Sequence, residues 1–227
     1  MILGPSFFRY HPIPPFRLFI LFLIFSFISV FFFTAAPPRA ESPPERWQVT
    51  SVEDGDSITL DNGRRVRYLG IDSPERGGPG KGEYLAEEAH RFNRRLVRGQ
   101  EVRLEYEAER LDRYQRLLAR VYLKNGLWVN GEMVKKGLAH VLYQAPNTDK
   151  FDELLKRQQD AMDHRRGIWS RALEETDSAY RGQGITRKFH RRDCVDGQKI
   201  AARNLVLFKH KKDAYAQGFS PCRICRP

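Results

Sequence analysis

Residues 54–75, DGDSITLDNGRRVRYLGIDSPE, contain two runs rich in β-branched residues that a turn signal separates. The runs cover residues 57–60 and 65–71, and Asn62-Gly63 between them favours a tight hairpin turn. A third run of this kind, residues 47–52, precedes them. The segment therefore predicts three strands in an antiparallel meander.

More strands and three helices follow this meander. Residues 101–106 alternate apolar and polar positions, and residues 118–123 and 127–129 flank a second Asn-Gly turn. Helices are predicted over residues 83–97, 132–137 and 149–166. We therefore predict a mainly β plus α fold, with a five-stranded OB-fold-like barrel and three helices, followed by a small zinc-stabilised module.

Charged residues are concentrated near the ends of the predicted strands. Arg67 lies in the middle of an apolar strand, and Asp72 and Glu75 lie at its exit, where Ser73-Pro74 favours an extended turn. Asp56 begins the neighbouring strand, so its carboxylate can meet that of Asp72 across the hairpin. Two carboxylates and a nearby carbonyl suit Ca²⁺ better than zinc, and Glu75 remains free to act as a base.

Four short motifs occur in a fixed order along the chain. They are D-G-D-S at 54–57, V-R-x-x-G-I-D-S-P-E at 66–75, D-R-Y-x-R at 112–116 and G-I-W at 167–169. Each motif alone is weak, but together they resemble the staphylococcal nuclease, or thermonuclease, family over about residues 46–170. The resemblance implies a Ca²⁺-dependent phosphodiesterase that hydrolyses DNA or RNA and leaves 3′-phosphates.

The resemblance also implies how the acidic residues act. Asp56, Asp72 and the carbonyl of Ser73 would hold Ca²⁺, with Asp54 supporting the site. Glu75 would be the general base that activates water. A phosphodiester repels hydroxide, so a metal, fixed cations and a positioned base are the groups that its hydrolysis requires.

By the same resemblance, two arginines take catalytic roles, and other basic and aromatic residues take substrate-binding roles. Arg67 and Arg116 would contact the scissile phosphate and neutralise the charge that develops on it. Arg113 and Tyr114 would touch a terminal or neighbouring phosphate, and Tyr143 matches a nucleotide-stacking tyrosine.

The chain departs from the family pattern at two positions. Gln115 stands where the family usually has glycine, in the turn that aims Arg116. Val141 replaces the tyrosine that accompanies Tyr143 in the family, so stacking there is expected to be weaker or supplied elsewhere.

An alternative interpretation gives these residues structural roles only. Asp54 and Asp56 can flank a tight turn, Asp72 can cap the following segment and Arg67 can pair with a surface acid. Relatives that have lost catalysis characteristically lose members of the catalytic set, whereas this chain has all five candidates: Asp56, Arg67, Asp72, Glu75 and Arg116. Their joint occurrence favours the catalytic interpretation.

Basic residues and all three cysteines are concentrated in the C-terminal tail. Residues 181–227 carry 12 basic and 3 acidic residues. His190, Cys194, Cys222 and Cys225 follow the pattern H-x3-C-x27-C-x2-C, which predicts a tetrahedral Zn²⁺ site. The alternative is a disulfide between two of the cysteines in an oxidising compartment.

The tail resembles the zinc-binding N-terminal domain of the Ada DNA-repair protein, including the closing P-C-x-x-C. His190 stands where that family has its methyl-accepting cysteine. The resemblance therefore implies a structural or DNA-docking role rather than methyl transfer. The basic residues predict a phosphate-binding surface, or alternatively they only solubilise the tail.

The N-terminus has the layout of an export signal. Residues 18–33 are apolar apart from two serines, follow Arg9 and Arg17, and precede small residues. We predict that residues 1–40 are a signal peptide or, if uncleaved, a membrane anchor through residues 18–36. The protein would then be periplasmic, secreted or anchored to the outer face of the inner membrane.

These features divide the chain into five predicted parts. The leader precedes a linker at 41–46, a nuclease domain at 47–175, a second linker at 176–186 and the zinc module at 187–227. The net charge of +11 favours a polyanionic partner, and 41% hydrophobic residues exclude simple disorder.

The predicted function is an exported Ca²⁺-dependent nuclease for DNA and/or RNA, monomeric and without an obligate protein partner. Two alternatives stay open: a nucleic-acid-binding protein without turnover, and a DNA-repair or sensing factor that acts through the tail.

Overall fold

A computed structural model describes residues 46–77, 81–175, 177 and 179–227. The predicted leader, with its export signal or anchor, lies outside the described residues, as does the linker up to residue 45. Within these ranges, none of the helices has the length and apolar character needed to cross a membrane.

A closed barrel of five strands forms the first part of the fold. Seven strands occur here: β1 (Arg46–Val52), β2 (Ser57–Leu60), β3 (Arg65–Tyr68), β4 (Ile71–Asp72), β5 (Glu101–Glu105), β6 (Leu117–Leu123) and β7 (His140–Val141). The strand order around the barrel is β1-β2-β3-β6-β5, and β5 closes the barrel by pairing with β1. Strands β3 and β6 are parallel, and the other four neighbouring pairs are antiparallel. Valine, isoleucine and leucine side chains fill its interior. The predicted five-stranded barrel is confirmed.

The hairpin at the start of the barrel forms as predicted, but its second strand is shorter than predicted. Ser57 pairs with Arg67, and Gly63 adopts a φ of 78° in the turn. The predicted strand over 65–71 ends at Tyr68 because Gly70, with a φ of 79°, redirects the chain. The next two residues, β4, pair with β7 instead.

Three helices pack around the barrel, as predicted. They are α1 (Ala86–Val97), α2 (Val129–Lys135) and α3 (Phe151–Asp163). The predicted strand over 127–129 is wrong, because only one bridge, Tyr122 to Trp128, forms and the chain then enters α2. A short 3₁₀ helix, Gly167–Ser170, follows α3.

A small sheet with two short helices forms the C-terminal module. It contains β8 (Tyr180–Gln183), β9 (Lys188–Arg191), α4 (Val195–Gln198), a 3₁₀ turn (Ala202–Asn204), β10 (Leu205–Phe208), α5 (Lys211–Ala216) and β11 (Ser220–Pro221). The sheet order is β10-β8-β9-β11. Strand β8 lies inside the range 176–186 that the sequence predicts as a linker, and this corrects the predicted boundary. Its Tyr180 is buried, and Gly182 packs against Phe208 and Phe219.

The module shares a hydrophobic core with the end of the nuclease domain. Trp169 packs edge to face on Tyr215, with ring centroids 5.0 Å apart. Buried Gln158 of α3 accepts a hydrogen bond from the Val141 N–H (2.7 Å) and donates one to the Tyr215 carbonyl (2.6 Å). The barrel and the module therefore belong to one compact unit.

Candidate active site and metal centre

Arg67 of β3 lies at the centre of a buried charge cluster. Its Nη1 is 2.8 Å from Asp56 Oδ2, and its Nη2 is 2.6 Å from Asp72 Oδ1. Nη1 also donates to the Ile71 carbonyl at 2.9 Å. The hairpin register places Asp56 beside Arg67, and the turn at Gly70 returns Asp72 to the other side of the guanidinium.

The D-G-D-S loop presents Asp56 through its own hydrogen bonds. Asp54 Oδ1 accepts from the Asp56 N–H at 2.9 Å, and the Ser73 N–H donates to Asp56 Oδ2 at 2.6 Å. Glycine is required at position 55 because a Cβ there would lie 2.7 Å from Ser73 Cβ and 2.9 Å from Ala89 Cβ. The loop can therefore pack closely against both the β4 exit and α1.

Helix α1 also holds this loop. Buried Asn93 donates from Nδ2 to the Asp54 carbonyl at 2.9 Å and accepts from the Tyr68 hydroxyl at 2.8 Å. One side chain thus ties the loop that carries Asp54 and Asp56 to the strand that carries Arg67.

Two buried carboxylates, those of Asp56 and Asp72, surround the single guanidinium of Arg67. Burial raises the pKa of Asp56 to about 7; Arg67 lowers it, while the nearby charges of Asp54 and Asp72 raise it further. Burial also raises the pKa of Asp72, but His140, Arg67 and Arg223 together bring it below its usual value. Asp56 and Asp72 are thus two buried carboxylates beside one buried guanidinium, and oxygen donors of this kind suit a hard cation.

Arg116 approaches the cluster from the loop before β6. Its Nε donates to Asp112 Oδ2 at 2.7 Å, while Asp112 Oδ1 accepts from the N–H groups of Tyr114 and Arg116. Gln115, which replaces the family glycine, has a φ of 62°. The turn thus keeps a left-handed residue at this position, although glutamine is strained there.

A cleft of about 270 Å³ connects these groups. Its lining consists of Asp54, Asp56, Arg65, Arg67, Glu75, Tyr114, Arg116 and Arg223. Six of these residues are predicted site residues. Asp72 and Ser73, together with Glu75, line a larger neighbouring cavity of about 490 Å³ between the nuclease domain and the module.

Two predicted substrate-binding residues are placed differently. Arg113 does not line the cleft, and its guanidinium donates to the Tyr114 hydroxyl at 2.6 Å. Tyr143 packs edge to face on Phe151, with ring centroids 5.1 Å apart, and the Arg187 guanidinium of the module lies 5.0 Å above its ring. The geometry brings neither side chain to the carboxylates.

Sequence reasoning missed three residues at this site. Arg65 and Arg223 line the cleft, and His140 Nε2 lies 3.8 Å from Asp72 Oδ2. Arg65 occurs two residues before Arg67 on the same strand, so strand alternation could have indicated that both side chains share a face. No local pattern links Arg223 or His140 to the barrel.

The four predicted zinc ligands lie together at the edge of the module. His190, Cys194, Cys222 and Cys225 are all buried, and their ligand atoms lie within 4.8 Å of one another. A tetrahedral Zn²⁺ with Zn–S bonds of about 2.3 Å needs ligand atoms about 4 Å apart, so the set fits the metal. Cys194, Cys222 and Cys225 form no disulfide in this structure.

The closed five-stranded barrel with its cleft of carboxylates and arginines defines a phosphodiester hydrolase of the OB-fold type. The chain belongs to the staphylococcal nuclease family, and residues 65–171 match the family described as "Staphylococcal nuclease homologue". The predicted family and the predicted class of nuclease are confirmed.

Three curated relatives illustrate the similarity. The thermonuclease of Staphylococcus hyicus is 31% identical over 152 residues, which are 63% of this chain and 89% of that protein. Endonuclease YncB of Bacillus subtilis is 36% identical over 65% of this chain and 74% of its own length. The SPbeta prophage-derived endonuclease YokF of Bacillus subtilis is 38% identical over 57% of this chain, but the match spans only 45% of YokF.

Proposed function

We propose that the protein is an exported Ca²⁺-dependent nuclease that hydrolyses DNA and/or RNA, with a zinc module that contributes to nucleic-acid binding. The observation that supports this most directly is the shared cleft, in which Arg67, Arg116 and Glu75 meet beside two buried aspartates. These groups are the ones that phosphodiester hydrolysis requires.

The calcium site is proposed between the cleft, which Asp56 lines, and the neighbouring cavity, which Asp72 and Ser73 line. Asp56, Asp72 and the carbonyl of Ser73 would hold the ion, and Asp54 would support Asp56. The residues fit a hard cation because they offer only oxygen, and because two buried carboxylates, Asp56 and Asp72, face one buried guanidinium, that of Arg67. When bound, Ca²⁺ supplies polarisation of the phosphoryl oxygens.

The side chains of the cleft divide the remaining chemistry. Arg67 is rigid because two carboxylates and a carbonyl hold it, so it costs little reorganisation when a phosphate arrives. Arg116 faces the same space, oriented by Asp112. Glu75 is exposed at the rim, where it can accept a proton from an attacking water molecule.

Binding of the nucleotide chain would use the outer part of the cleft. Tyr114 is 56% exposed there and offers a face on which a base can stack, with Arg113 beside its hydroxyl. For Tyr143, stacking stays a prediction that would require Arg187 to leave the ring.

Zinc is proposed as the structural metal of the module, bound by His190, Cys194, Cys222 and Cys225. Residues 187–227 are few for an independent core, so a metal would supply much of the stability of this part. Export is proposed on the basis of the leader sequence alone. It agrees with a weak calcium site, because Ca²⁺ is more concentrated outside the cytoplasm.

The test is hydrolysis of single- and double-stranded DNA by the full chain in mild detergent, with Ca²⁺ or with a Ca²⁺ chelator. We expect cleavage only with Ca²⁺, and a Glu75→Gln rate lower by about 100- to 10,000-fold, as for a lost general base. Arg67→Lys should be similarly impaired, because lysine cannot reproduce the guanidinium fork.

Exposed residues provide matched controls. Glu174→Gln matches Glu75→Gln and Arg64→Lys matches Arg67→Lys, both at exposed positions away from the cleft lining, and both should leave the rate unchanged. A folded wild-type protein that binds DNA but does not cleave it with Ca²⁺ present would contradict the proposal and favour a binding protein without turnover.

A further inference from the structure

An arginine from the C-terminal module enters the nuclease cleft. Arg223 lies between the two cysteines of the Cys222–Cys225 pair, and its Nη2 is 2.7 Å from Asp72 Oδ1 and 3.2 Å from Glu75 Oε1. The same side chain lines the cleft together with Arg67 and Arg116. A residue of the module therefore touches both a proposed calcium ligand and the proposed base.

The backbone around Arg223 is tightly held. The Cys222 N–H donates to the Phe189 carbonyl of β9, and the Arg226 N–H donates to the Cys222 carbonyl, both at 2.9 Å. The Ile224 N–H donates to Cys222 Sγ at 3.4 Å. Arg223 is thus at the tip of a closed turn whose two cysteines belong to the metal-ligand cluster.

The base of this turn is fixed against the nuclease domain. Tyr215 packs on Trp169 and Phe189, each with ring centroids 5.0 Å apart, and Gln158 of α3 bonds to the Tyr215 carbonyl. Tyr215 thus links Phe189 of β9, whose carbonyl bonds to the Cys222 N–H, to Trp169 and α3, and this packing sets the position of the Arg223 turn relative to the cleft.

The side chain of Arg223 is well suited to meet a substrate. It is 62% exposed, whereas that of Arg67 is only 10% exposed. Both of its ion pairs within the described residues use Nη2, and a guanidinium has further donors on Nη1 and Nε that can bind phosphate oxygens. Its charge is also opposite to that of the nucleic-acid backbone.

We propose that Arg223 is a third substrate-binding arginine of the active site, and that the Cys3His module is the structural arm that holds it over the scissile phosphate. This inference rests on the proposed nuclease function. It changes the role of the module, because removing the module would remove an active-site side chain as well as a basic binding surface.

The test compares Arg223→Ala and Arg223→Lys with wild type in the full chain. The substrate is a single-stranded DNA oligonucleotide with a fluorophore and a quencher, used with Ca²⁺ present. We expect kcat of Arg223→Ala to fall on the order of 100-fold, as for a lost donor to a developing anion, with a smaller change in KM. Arg223→Lys should recover part of the loss because it keeps the charge but not the fork.

Arg203→Ala is the matched control. It removes the same charge from an exposed position of the same module that lies outside the cleft lining, and kcat should stay at the wild-type value. Bound zinc per chain and the far-UV circular dichroism spectrum are measured for every variant, so that a loss of folding is recognised.

Two results would overturn the inference. A faster Arg223→Ala enzyme would make Arg223 an inhibitory residue that blocks the cleft, and an unchanged kcat would place it outside the reaction. Inactive wild-type protein is a different result, since it contradicts the proposed nuclease function itself.

Discussion

The barrel and the C-terminal module hold their charged or metal-binding side chains by different means. The barrel surrounds its acidic cluster with a large apolar core and fixes Arg67 by strand register. The module has a smaller core, part of which is contributed by α3 and the following 3₁₀ helix, and it gathers three thiols and an imidazole at its edge. A large core can position unbalanced buried charge, whereas a domain with a small core needs packing on a neighbour or a bound metal for its stability.

Metal removal should give the largest effect and separate the two regions. Structural zinc contributes on the order of 10 kcal/mol to the folding of small modules, so a zinc chelator or Cys222→Ser should unfold the module. We expect amide hydrogen exchange in β8, β9 and β11 to become fast while the barrel strands stay protected. Unchanged protection in the module after zinc loss would show that packing on Trp169 and α3 is sufficient.

The next largest effect on stability is expected when a methyl group is added at Gly137 of the nuclease domain. Gly137 has a φ of 67°, and a Cβ there would lie 2.1 Å from the Arg166 carbonyl oxygen. Gly137→Ala should lower the free energy of unfolding by about 3 to 5 kcal/mol, because backbone strain and overpacking add. Urea denaturation provides the measurement.

Gly99→Ala is the control for this change. Gly99 has a similar φ of 70°, but nothing lies within 4 Å of the added Cβ. Backbone strain is then the only cost, and Gly99→Ala should lower the free energy of unfolding by about 1 kcal/mol. Equal losses in the two variants would mean that the close contact at Gly137 relaxes freely.

The hydrogen bonds between the regions should have an intermediate effect. Gln158→Ala leaves the buried Val141 N–H unpaired and removes one bond to the Tyr215 carbonyl, which still accepts from the Gly218 N–H at 2.9 Å. We expect a loss of about 2 kcal/mol. Gln159→Ala, which removes one bond to the Ala216 carbonyl from a half-buried residue, should cost less than about 1 kcal/mol. If thermal unfolding ranks the two variants in the opposite order, Gln158 does not couple the regions.

The smallest effect is expected at Gln115. Gln115→Gly relieves a left-handed backbone that costs about 1 kcal/mol, partly offset by the greater freedom of glycine in the unfolded chain. The free energy of unfolding should therefore rise by about 0.5 kcal/mol at most in the variant. Gln115→Ala keeps the strain and should show no such gain; a gain in alanine equal to that in glycine would point to another cause.

Much of the barrel and of its cleft could be predicted from local patterns. The Asn62-Gly63 turn sets the pairing of Ser57 with Arg67, and that pairing alone brings Asp56 to the guanidinium. The end of β3 could not be predicted in the same way, because the turn at Gly70 follows from the pairing of Ile71 with Val141. Strand β8 falls in a predicted linker because Gly182 has no side chain and gives no strand signal. Only in the folded module do the rings of Phe208 and Phe219 pack on this glycine.

The sequence by itself determined the family, the barrel and the set of candidate ligands, because hairpin signals, strand alternation and motif spacing act over short distances. Only the tertiary structure decided that Arg187 covers Tyr143 and that Arg223 reaches Asp72. Arg223 and Asp72 are 151 residues apart in the chain. Contacts over such a distance depend on how two hydrophobic cores pack together, and no local run of residues contains that information.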